Sequence, residues 1–88
     1  MNSLPYQIAQ HALADLKTAI YLLLKENSPH EIRNVDIGKL LGINHGHSGK
    51  HQDHIPRIIL ELLAQEGLVE QNSSNKKWKL KTILIANK

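Results

Sequence analysis

Four of the six histidines, His45, His47, His51 and His54, fall within ten positions, and this cluster is the first chemistry the chain offers. Imidazole ligates zinc, nickel and copper. The set has no thiolate beside it, because the chain contains no cysteine. It also lacks the paired ligand spacing of structural zinc sites and any His-x-Glu-type catalytic signature. No resident metal is expected, and these four histidines are only weak candidates. The same stretch, Asn44 to Gln52 (NHGHSGKHQ), offers a second chemistry. Gly46 and Gly49 let a backbone approach a surface closely. Ser48, Lys50 and His51 are donors just ahead of a helix start, where unpaired N–H groups and the helix dipole favour an anion. A phosphate suits that setting, and an ordinary polar loop is the plainer reading.

Catalysis has little footing. Ser, His and Asp occur mostly in polar loops with no triad-like placement, and neither a P-loop nor a GxGxxG is present. No enzyme activity and no cofactor are expected. The absence of cysteine also removes disulfides and thiol nucleophiles. Hydrophobic residues at 41% suffice for a globular core, but there is no Phe, and Trp78, Tyr6 and Tyr21 are the only aromatics. Base stacking on exposed rings is therefore a poor binding strategy, which disfavours single-strand platforms and suits a duplex better.

Charge is unevenly placed. Of eleven basic residues, five are lysines from Lys76 onward (76, 77, 79, 81 and 88), where there is no acid. That leaves six basic residues against all eight acids upstream, a net −2 within an overall +3. A basic cluster of this kind is the electrostatic footprint of a phosphate-backbone binder, or a solvated strand whose lysines discourage aggregation.

The elements that must position these groups follow from periodicity. Eighty-eight residues make one small domain. Helix 1 is expected over about 5–26, capped by Ser3, with Pro5 in its first turn. Its stripe is Ile8, Ala12, Leu16, Ile20 and Leu24, widened by Ala9, Leu13 and Leu23. Tyr21 and Leu22 lie off that stripe, either as a partner surface or as scattered exposed residues. Ser28 to Glu31 has capping-box spacing, and Glu31 to Arg33 alternatively reads as a very short strand. Helix 2 is expected over about 35–41, with Asn34 as cap, Ile37, Leu40 and Leu41 as its apolar face and Gly42 as its stop. A loop over 42–52 leads to helix 3 at about 53–66. Asp53 caps that helix, Pro56 lies in its first turn, and Ile55, Ile59, Leu60 and Leu63 mark its apolar side. A hairpin over 68–81 follows, with a turn at Asn72 to Asn75. Its alternation places Trp78 and Leu80 on one face and Lys77, Lys79 and Lys81 on the other. Thr82 to Ala86 extends the strand or packs beneath the domain. The longest apolar run, Ala19 to Leu24, is far short of the ~20 residues a membrane span needs, and a cytoplasmic location is expected.

The spacing Ile59-Leu60, Leu63, Gly67-Leu68-Val69 resembles the end of the recognition helix and the first wing strand of winged helix-turn-helix DNA-binding domains. NVDIGKLLGI is similar to their supporting helix, and the resemblance covers most of the chain. It implies a mainly α fold with a small antiparallel β-hairpin, a three-helix core plus a C-terminal wing. It departs from the family's tight turn at NHGHSGKHQ. The resemblance brings Lys50, His51, Gln52, His54 and Arg57 toward the major groove. Arg57 is the foremost base reader there, because its guanidinium can bond guanine O6 and N7 together; a surface ion pair with Glu61 is the plainer alternative. Lys76, Lys77 and Lys79 would meet phosphate or the minor groove, contacts that position without reading sequence. Ile58 and Leu62 stand where related helices usually carry polar residues.

The expected function is sequence-specific binding of double-stranded DNA, as a small transcriptional regulator, with a homodimer as one assembly and no membrane partner. The competing reading is a winged-helix module for protein contact through Tyr21, Leu22, Ile58 and Leu62, since fold alone does not fix function. A DNA-reading module of a restriction or mobile-element system is a further variant.

Overall fold

A computed structural model describes residues 3–47, 50–52 and 54–81, with the backbone alone for 45–47 and 50–52. The order is α1 (Leu4–Asn27), α2 (Asn34–Leu41), β1 (His45–His47), β2 (Lys50–Gln52), α3 (His54–Gln65), β3 (Val69–Gln71) and β4 (Trp78–Leu80). The fold is mainly α: three helices form the core, and the antiparallel hairpin β3–β4 completes it.

Local chemistry sets the helix ends. The Ser3 hydroxyl accepts from the Tyr6 N–H, and Pro5 sits in the first turn of α1. Gly42 and Gly67 both take positive φ, 70° and 81°. At each, two backbone bonds close the helix: Gly42 N–H to Lys39 O with Ile43 N–H to Gly38 O, and Gly67 N–H to Ala64 O with Leu68 N–H to Leu63 O. This is the Schellman pattern, in which the left-handed glycine turns the chain and the next residue packs back on the last turn. At α3, Leu63 is buried in the core and half-buried Leu68 packs against that core.

Ile20 and Leu24 of α1, Ile37 of α2, Ile59, Leu60 and Leu63 of α3, and Val69 and Trp78 of the hairpin form the buried core. Every helix and both hairpin strands contribute, so the hairpin is part of the core. Lys17 of α1 is ion-paired with Glu66 just beyond α3.

Several expectations are corrected. Asn34 is the first helical residue of α2, and the cap position belongs to Arg33, which makes no side-chain cap bond. Ser28 to Glu31 is not a capping box: Ser28 N–H donates to Lys25 O, His30 N–H donates to Asn27 O, and the segment turns the chain out of α1. The short-strand alternative holds instead, because Ile32 bridges Trp78 with reciprocal N–H to O bonds of 2.8 Å each. The stretch expected as a loop over 42–52 contains a two-stranded antiparallel ladder, His45 opposite Gln52, Gly46 opposite His51 and His47 opposite Lys50. The α1 stripe is buried only in its C-terminal half; Ile8, Ala9 and Ala12 are exposed. Leu40 is exposed too, leaving Ile37 and half-buried Leu41 as the inner face of α2. The expectations for Asp53 and for 82–88 lie outside the described residues.

Candidate nucleic-acid interface

The hairpin tip is built by asparagines. Asn72 Oδ1 accepts from the Ser74 and Asn75 N–H groups, at 2.8 and 3.4 Å, and Asn75 Oδ1 accepts from Lys77 N–H at 2.9 Å. Side-chain carbonyls here replace the backbone acceptors a longer ladder would supply. The chain then passes through Lys76 at φ 64°. A non-glycine residue in this left-handed region costs about 1 kcal/mol or more. Two bonds hold it there: Lys76 N–H donates to Asn72 O at 2.8 Å, and Gln71 Nε2 donates to Lys76 O at 3.0 Å.

A third support comes from the other end of the fold. Glu31, on the connector before α2, accepts from Asn72 Nδ2 at 3.1 Å and Asn75 Nδ2 at 2.9 Å. Those amides, Asn75 foremost, together with nearby Lys79 and Lys77, hold the Glu31 carboxyl below its ordinary range. Its folded-state value is depressed, so the stabilisation is full above the unfolded-chain value and is lost as pH falls through the folded one. Acidification through and below the usual carboxylate range should therefore release the tip. Protection of the Ser74 and Lys77 amides, measured against the intrinsic slowing of exchange in acid, should fall there. Glu31→Gln should show faster exchange at neutral pH and no such extra acid step.

Beside the tip lies a groove of about 600 Å³, lined by Arg33, Asn34, Val35, Arg57, Glu61, Gln71, Asn75, Lys76 and Trp78. Three cations from three different elements face one carboxylate across it, which favours an anionic ligand. Arg57 is exposed, one turn into α3, and no ion pair joins it to Glu61 among the described residues. Arg33 is committed to a bidentate pair with Asp36, at 2.9 and 3.1 Å, which holds the Asp36 carboxyl below its ordinary range. Its charge reaches the groove while its fork is occupied.

Of the residues singled out in the sequence, the groove gathers Arg57 and Lys76. His54 is exposed at the start of α3. Lys77 and Lys79 are half-buried and lie toward carboxylates, Lys79 3.8 Å from Glu70 and both near Glu31. Ser48, and the side chains of His45, His47, Lys50, His51 and Gln52, lie outside the described residues. Among the described residues no group of three His, Asp or Glu side chains could hold a metal ion, and no helix is long and apolar enough to cross a membrane.

The four residues read as a partner surface differ in setting. Tyr21 lines a separate cleft of about 350 Å³ with Leu63, Glu66 and Leu68, whereas Leu22 lies about 100° further round α1. Leu62 is half-buried against the core, and Ile58 is 54% exposed. Sequence reasoning missed Arg33, Gln71, Asn75 and Glu31. Arg33 had a signal, a cation directly ahead of a helix, but Glu31 had none, because its partners stand 41 and 44 residues away.

The molecule is thus a three-helix domain with a pinned C-terminal hairpin and a cationic groove between hairpin and α3. No family model, no curated protein and no solved structure matches the chain.

Proposed function

We propose that this domain is a winged helix-turn-helix that binds double-stranded DNA, as a small transcriptional regulator. The start of α3 enters the major groove, and the hairpin tip lies on phosphates or in the minor groove. The observation that carries the reading is the convergence of Arg57, Lys76 and Arg33 on one groove. Cations from separate elements, set around a concave surface, suit a polyanion that spans them. The strained Lys76 adds to this. Glycine or asparagine would occupy φ 64° at lower cost, so a lysine there exchanges local stability for charge at the tip.

Fluorescence anisotropy with a mixed-sequence duplex tests the proposal. Affinity should fall with salt, with log K against log salt sloping at about −2 to −3 if two or three phosphates are neutralised. Absence of salt-sensitive binding at low ionic strength would overturn it. Lys76→Gly should weaken binding to all duplexes alike and reduce the slope by about 1. Its folding stability should be unchanged or higher, because the backbone strain is relieved.

A second reading, a module for protein contact, is favoured by the exposure of Ile55 and Ile58 on α3. Size-exclusion chromatography with and without duplex separates the two, since only the DNA reading moves the protein into a co-eluting complex.

A further inference from the structure

The core accounts for one side of α1 and leaves another unexplained. Leu13, Leu16, Ile20, Leu23 and Leu24 face the interior. At 100° per residue, Leu4, Ile8, His11, Asp15, Thr18 and Leu22 form a second line away from that face, with Thr18 at its edge also bordering the Tyr21 cleft. All six are exposed, with Leu4 at 67%, Ile8 at 60% and Leu22 at 47%. Their spacing alternates four and three residues, the 3.5-residue period of a seam between two helices. The line runs about 27 Å, and every residue of α1 before Leu13 is exposed. A helical segment of that length is marginal in water without a partner.

We infer that this stripe is the interface of an antiparallel homodimer. The partner is a second copy because the stripe is complementary to itself. Around a two-fold axis near residue 13, Leu4 meets the partner's Leu22, Ile8 meets the partner's Thr18, and His11 meets the partner's Asp15. Each contact occurs twice, as a two-fold interface requires. The ends are apolar against apolar, and the centre sets imidazole N–H donors against carboxylates. A parallel pairing would stack Asp15 on the partner's Asp15 and His11 on the partner's His11, so charge selects the antiparallel arrangement. A polar pair at a seam position also fixes register, at some cost in stability. The inference is independent of DNA binding, and it replaces Tyr21, Ile58 and Leu62 as the self-contact surface while keeping Leu22.

Sedimentation equilibrium without DNA tests it. The wild-type chain should pass from monomer to dimer between about 1 and 300 μM, the range of a small interface. Leu4→Glu and Leu22→Lys should each weaken self-association at least about tenfold. Both positions are exposed, so circular dichroism should be unchanged. Mixing the two variants should restore dimers, because the introduced carboxylate of one chain meets the introduced ammonium of the other. Leu4→Glu/Leu22→Lys in a single chain should likewise dimerise with itself. A wild-type monomer at the highest concentration, singles that pair as the wild type does, or a mixture that stays monomeric would each overturn the interface. In the first case the stripe is left to a different protein.

Discussion

Trp78→Ala is expected to remove about 3–5 kcal/mol of folding stability, the usual cost of emptying a large buried aromatic site. A domain of this size holds only about 4–13 kcal/mol in total, so the variant should lose about a quarter of that stability or more and melt well below the wild type. Trp78 is 6% exposed and contacts the core from β4. Its backbone also bridges Ile32 on one side and pairs with Gln71 on the other. Its ring therefore joins the hairpin, the connector before α2 and the helices. Removing the ring leaves those backbone bonds in place but takes away the apolar contact that holds them dry. Urea unfolding followed by circular dichroism should show a lower midpoint with a similar slope, and Trp78→Phe should lose less. Because Trp78 is the sole tryptophan, wild-type fluorescence excited selectively at tryptophan reports this junction alone. Its transition should coincide with that of the helices. A hairpin that melts at lower urea than the helices would contradict a core shared by both.

Features set by short-range chemistry were legible in the sequence. Ser3, Gly42 and Gly67 mark helix ends because capping and left-handed closure need particular residue types at particular places. Trp78 and Leu80 alternate with lysines, so the buried face of the hairpin could be assigned before its partners were known. The β1–β2 ladder was hidden because HGHSGKHQ has no apolar alternation, and backbone pairing alone leaves no trace in side-chain pattern. The extent of α1 was legible but its burial was not. Ile8 and Ala12 continue the stripe of Ile20 and Leu24, yet they are exposed, because burial depends on where distant segments pack and periodicity within one helix does not record that. In the groove, Arg57 and Lys76 could be named separately. Their meeting around Arg33 depends on the Ile32–Trp78 bridge and the Glu31 clasp, which join residues some 40 positions apart and have no local signature.

Under the proposed DNA binding, Arg57→Ala should chiefly cost discrimination between sequences, about 1–3 kcal/mol, or roughly 5- to 150-fold, at one base pair. Arg57 differs in kind from the two other cations of the groove. Arg33 has its fork occupied by Asp36, and Lys76 offers a point charge at the tip of a turn. Arg57 combines a planar fork with exposure on the first half of α3, and no ion pair with Glu61 restrains it among the described residues. A preferred site is first obtained by selecting bound fragments from random duplex DNA, and each variant is then measured on that site and on a scrambled one. Arg57→Ala should bring the two affinities together by weakening the preferred site. Arg57→Lys separates charge from shape: it keeps the cation but loses the bidentate geometry. Its salt slope should match the wild type while its discrimination falls toward that of the alanine variant. If Arg57→Lys discriminates as well as the wild type, Arg57 acts only as a charge. If Arg57→Ala weakens both sites equally, Arg57 reads no base and acts on the backbone alone.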